Sequence, residues 1–172
     1  HQTDSSNAAG SIEWWKKSPY GAHFIVDRGT GDYRKTIFLK DKKKYQYTGP
    51  SAKYSGIDGK IYQTAHLDKR CNHAGKLRNH AYPNNFDSIG IEFVGKYDEV
   101  AQLYPGPSIG QVHSGAWLVK SFIESITSIP GMDAVYSHGV IAFKTPDQTE
   151  GGSTLEKIKE EYEKSVTREQ NY

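Results

Sequence analysis

Two histidines stand at opposite ends of this 172-residue chain, each in a setting that suits a metal ligand. His1 opens the segment His1-Gln2-Thr3-Asp4, and His138 follows the apolar run at 134–137 and precedes Lys144, Asp147 and Glu150. Two imidazoles and one carboxylate hold a zinc ion and leave a fourth position for water. Their convergence in space would make a metal-dependent hydrolase, with Lys144 placed to stabilise negative charge on a tetrahedral intermediate. Glu92 sits alone between Ile91 and Phe93. Strand alternation puts it either on a solvent face or in a cleft, where a carboxylate near a metal-bound water suits proton transfer. The His-Glu-x-x-His pattern of helix-borne zinc sites is absent from the sequence. Cys71 and His73 lie two residues apart on a loop with no third orienting group, a poor setting for a cysteine nucleophile. His23 reads as a structural or supporting histidine, and His73 as either a surface-loop residue or part of the cleft.

Positioning such residues takes a sheet and its covering helices. Residues 8–17 are predicted to form a short helix with Ile12 and Trp15 on one face and Ser5 or Ser6 as its cap. A strand over 21–27 should end in a turn at 28–32. Short strands are expected at 36–39, 45–47 and 60–65, with 40–60 a polar insertion. The run at 88–95 is nearly continuous in apolar residues, as in the middle of a sheet. Residues 108–128 carry Ile109, Val112, Ala116, Val119, Phe122, Ile123 and Ile126 at helical steps, with Ser108 as cap and Pro130-Gly131 as stop. A strand over 134–137 should deliver His138. Ser153-Thr154-Leu155-Glu156 reads as a capping box opening a last helix with Leu155, Ile158 and Tyr162 inward, and the tail after Val166 should fray. These elements make a single mixed α/β domain with a central sheet flanked by helices.

Composition narrows the function classes. A net charge of +2 is too small to argue for nucleic acid as a partner. The basic run at 40–44 reads as a solvated loop. Hydrophobic residues make up 35% of a chain whose mean hydropathy is −0.73, and a monomer is expected. A single cysteine excludes an intrachain disulfide. No stretch reaches the roughly 18 apolar residues of a membrane span, and no signal peptide is evident. The abrupt start at His1 suggests a mature chain or a fragment lacking an upstream segment.

The motifs, taken in order, resemble the zinc-dependent N-acetylmuramoyl-L-alanine amidases of type 2, a family that includes peptidoglycan recognition proteins. His1-Gln2-Thr3 resembles the family's His-x-Thr opening, and 21–29 its first long strand and turn. Gly59-Lys60-Ile61-Tyr62-Gln63 resembles its Gly-x-Ile-Tyr-Gln strand. His73-Ala74-Gly75 resembles the His-Ala-Gly loop beside the cleft, Ser88-Ile89-Gly90-Ile91-Glu92 the strand bearing the catalytic glutamate, and Ser137-His138-Gly139 the second zinc histidine. The similarity spans residue 1 to about residue 152. Some members carry a catalytic tyrosine beside the His-Phe pair; here that position is Ala22, which fits the branch that uses a glutamate. The third ligand departs from the pattern. Pro146 occupies its usual position, leaving Asp147, or Glu150 followed by Gly151.

The resemblance implies zinc held by His1, His138 and Asp147 (or Glu150), with Glu92 and Lys144 catalytic and His73, Ala74 and Gly75 binding substrate. It implies cleavage of the amide between N-acetylmuramic acid and L-alanine in peptidoglycan or soluble muropeptides. A non-catalytic recognition domain of the same fold is the main alternative, and a structural phage component with a relict fold is another. Wall recycling in the cytoplasm, or lysis or antibacterial attack from a periplasmic, secreted or wall-associated location, would use the same site. A toxin would also have an inhibitor or immunity protein as partner.

Overall fold

A computed structural model describes residues 2–3, 5–29, 35–38, 44–47, 54–95, 106–143 and 150–170. Its main sheet has four strands in the order β1 (Gln2–Thr3), β6 (Ile91–Val94), β2 (Phe24–Val26) and β5 (Ile61–Gln63). β6 runs parallel to both β1 and β2, while β2 and β5 are antiparallel. β3 (Lys35–Phe38) and β4 (Lys44–Tyr47) form a separate antiparallel pair.

Side chains alternate across a strand, and the register sorts those of the main sheet into two faces. Phe24 and Val26 pair with Ile91 and Phe93. This face packs on α2 (Ile109–Ser125) and α4 (Gly152–Gln170) through Ala116, Leu118, Val119 and Ile158. Ile25, paired with Glu92 and Tyr62, lies on the other face. There Ile25 and Val94 join Ala8, Ile12 and Trp15 of α1 (Ala8–Trp15), together with Tyr54. Tyr54 is 4% exposed, so the end of the expected insertion belongs to the core. Residues 40–43 and 48–53 lie outside the described residues, and Lys44, the end of the basic run, opens β4.

Three polar side chains tie the layers together. Asp27 accepts hydrogen bonds from the amides of Ala8, Arg28 and Ile57, joining the start of α1 to β2. Asp58 accepts from the Gly110 amide and the Ser108 hydroxyl at the start of α2, where a carboxylate favours the helix dipole. Ser108 and Gln111 form a capping box, and Gln111 Nε2 donates to the carbonyls of Val26 and Val94 at the ends of two neighbouring strands.

Several sequence expectations are corrected. Asn7, not Ser5 or Ser6, caps α1 by accepting from the Gly10 amide, while Ser5 donates to the Asn7 carbonyl. α2 stops at Ser125, short of 128, with Ile126 already extended. The segment before His138 is no strand. A 3-10 turn at Met132–Ala134 leads to α3 (His138–Ile141), which His138 opens. α4 starts at Gly152, so Ser153 lies within its first turn rather than at its cap, and it continues to Gln170 without fraying at 166.

Candidate active site

Glu92 and His73, two of the described candidate residues, lie toward the N-terminal end of β6. Gly90 precedes the strand, and the His73 ring rests where a Gly90 side chain would stand. A Cβ built there would lie 2.5 Å from His73 Cγ, so only glycine admits the imidazole. Gly90 and Glu92 share a strand face, two residues or about 6.6 Å apart. Glu92 is half-buried with Oε2 shielded from solvent, on the face that carries His23 and Ile25 rather than the apolar face under α2.

His23 is 1% exposed and uses both ring nitrogens. Nδ1 accepts from the Gly90 amide at 3.0 Å, so the ring proton lies on Nε2, which donates to the Lys69 carbonyl at 2.8 Å. This is the supporting role its sequence setting suggested. His23 meets His73 edge-on, with ring centroids 5.7 Å apart. His73 is 8% exposed, and burial pushes its pKa down to about 4. The Ser88 carbonyl opposes that shift and the nearby His23 adds a smaller downward push. The ring is therefore neutral at pH 7.

The loop from His73 to Gly75 spans from this face to α3. Asn85 Oδ1 accepts from the amides of His73 and Ala74 at 3.0 and 2.7 Å, fixing the loop. Gly75 has φ +64°, a left-handed conformation that favours glycine. A Cβ there would lie 4.0 Å from His138 Nε2, so the loop backbone flanks the imidazole. His138 is 4% exposed, and Ala74, Ile141 and Ala142 form a small core beneath it. His73 and His138 both line a cavity of about 610 Å³ whose other walls are mainly apolar, including Phe93, Phe122 and Ile158.

Two sets of main-chain bonds hold the segment after His138. The Gly139 amide donates to the Glu150 carbonyl at 2.9 Å, joining the start of α3 to the residue before Gly151. The Arg78 amide donates to Ile141 O, Arg78 Nε to Ala142 O, and the Phe143 amide to Lys76 O. Glu150 is 2% exposed. His1, Lys144 and Asp147 lie outside the described residues. Gln2, bonded to His1, pairs with Phe93, the neighbour of Glu92.

Imidazole and carboxylate donors suit zinc, and the described pair, His138 and Glu150, is buried with the main chains of Gly139 and Glu150 joined. Among the described residues no group of three His, Cys, Asp or Glu side chains could hold a metal ion. A complete ligand set would therefore draw on residues outside the described ones, where the candidates His1 and Asp147 lie. Cys71 is buried, which pushes its thiol pKa up, away from nucleophilic use. Asn85 and Arg78 were not foreseen from sequence. Both work on backbone atoms of distant segments, and no spacing rule marks them.

Residues 1–152 match the sequence profile of a family described as N-acetylmuramoyl-L-alanine amidase. Two crystal structures of AmpDH3 from Pseudomonas aeruginosa are similar to this chain, each with a TM-score of 0.60. The one in complex with an anhydromuramic pentapeptide is 21% identical, covering 91% of this chain and 57% of the other. The second is 19% identical, covering 92% and 57%. The chain thus spans under two thirds of the length of those structures. No curated protein matches it in sequence.

Proposed function

Because the chain belongs to the N-acetylmuramoyl-L-alanine amidase family, we propose that it hydrolyses the amide between N-acetylmuramic acid and L-alanine in peptidoglycan or muropeptides. The observation that carries this reading is the meeting of three motifs at one place. The His73–Gly75 loop lies over Gly90, on the strand face of Glu92, and its far end lies against His138. His1 adjoins the same strand, because Gln2 pairs with Phe93.

In this reading His1, His138 and a carboxylate hold zinc. Burial of Glu150 and its main-chain bond to Gly139, the residue after His138, favour Glu150 over Asp147 as third ligand. When bound, zinc supplies Lewis acidity and a water whose pKa is lowered to about 7. Glu92 accepts the proton of the attacking water and returns it to the departing alanine amine. Lys144 carries positive charge to the developing oxyanion, and replacing it with alanine should lower turnover by roughly 10²–10³. The neutral His73 and the backbone of Ala74 and Gly75 border the substrate.

Incubation with purified peptidoglycan tests the reaction. New alanine amino termini without new reducing sugar ends are expected, whereas reducing ends would identify a glycosidase. Intact substrate with tight binding and no stoichiometric zinc would instead identify a recognition domain. Zinc content of Glu150→Gln and Asp147→Asn proteins assigns the third ligand, with loss expected in the first.

A further inference from the structure

Trp14 and Tyr20 are 57% and 60% exposed, although both are large aromatic residues. Their rings are parallel within 1°, with centroids 6.1 Å apart. The segment carrying them is fixed by a series of hydrogen bonds. Lys17 and Ser18 donate their amides to the carbonyls of Trp14 and Trp15, and the Tyr20 amide donates to Ser18 Oγ. Beneath it, Trp15 packs into the core with Ala8 and Ile25. The pair is thus held in place at its base while its rings face solvent.

Its location gives it a use. Asn72 Nδ2 donates to the Pro19 carbonyl at 2.7 Å. That bond joins the residue before Tyr20 to the residue before His73, so the segment carrying the aromatic pair is tied to the His73–Gly75 loop. Parallel aromatic rings open to solvent present flat apolar faces that match the C–H face of a pyranose. We propose that Trp14 and Tyr20 form a stacking platform for the sugar rings of a glycan strand, beyond the sugar that bears the cleaved amide. This rests on the amidase reading and refines its substrate class: the chain acts on polymeric glycan in preference to single muropeptides.

The test compares native protein with Trp14→Ala/Tyr20→Ala, a double substitution at exposed positions, with matched melting curves as the folding control. The first probe is a soluble N-acetylglucosamine hexamer, followed by isothermal titration calorimetry. Saturable binding heat is expected in the native protein and should be lost in the variant. No native binding, or binding unchanged in the variant, overturns the proposal, as it would if the pair served a protein partner. The second readout is amide cleavage. The variant should lose roughly tenfold on polymeric peptidoglycan and stay within about twofold on a disaccharide muropeptide. Equal loss on both substrates also overturns it. If native protein cleaves neither, the amidase reading fails on its own and the hexamer titration still decides the platform.

Discussion

A methyl group at Gly90 would collide with the His73 ring, which is hemmed in by His23 and by its loop's bonds to Asn85. Overpacking of this kind costs about 1–3 kcal/mol. Gly90→Ala should therefore lower the thermal midpoint and reduce amide cleavage together, and a variant with native stability would show that the ring moves freely. His73 also predicts a pH dependence. Its folded-state pKa of about 4 lies below the ordinary 6.5. Above the ordinary value both folded and unfolded chains hold it neutral. As the pH falls toward about 4 the unfolded chain takes up the proton first, so stability declines, by about 3 kcal/mol at most. Denaturant midpoints at about pH 7 and about pH 4.5 check this. The decline should shrink in His73→Gln, and an unchanged slope would rule out this residue as its source.

Element positions were legible where a long pattern and a local cap agreed. α2 shows this at Ser108, whose side chain accepts from the Gln111 amide as foreseen. Short runs were not legible. The four residues 134–137 fit either an apolar strand or a turn, and no strand of the main sheet pairs with them. His138 is held instead by α3 and the loop below it. The end of α2 was also hidden, because apolar Ile126 continues the helical spacing while its backbone is extended. Motif order pointed to His138, His73 and Glu92. The clamps Gln111, Asn85 and Arg78 were not visible because they join backbone atoms far apart in sequence. Gln111→Ala removes bonds to three backbone groups in a buried place. At about 1–3 kcal/mol for each buried group left unpaired, it should be among the more destabilising single changes, read by urea denaturation. Arg78→Ala loses the Nε bond to Ala142, and should lower cleavage about tenfold through a shifted loop base. Recovery by lysine would argue for charge rather than the directed Nε bond.

Among the described residues a mixed four-stranded sheet, a separate two-stranded pair and the covering helices make up the type 2 amidase fold. One sheet face is given to α2 and α4. The other is shared between α1 and the histidine-bearing end of the sheet. α2 and α4 are further joined by Lys120 and Glu169. Because the proposed zinc ligands come from both ends of the sequence, the ion would bind the folded chain in preference to the unfolded one. At about a hundredfold excess over its Kd, zinc should add about 2.7 kcal/mol. Chelator treatment should therefore abolish cleavage and lower the melting temperature, with both restored by zinc. Full activity in metal-free protein would exclude the mechanism. The closure from Gly139 to Glu150 also bears on engineering. Ile141, Ala142 and Phe143 are bonded to Lys76 and Arg78, and Glu150 is bonded to Gly139, so the main chain is anchored at Phe143 and again at Glu150. Exchanging the donor type at position 150 should therefore retune metal preference while the histidine on α3 keeps its place.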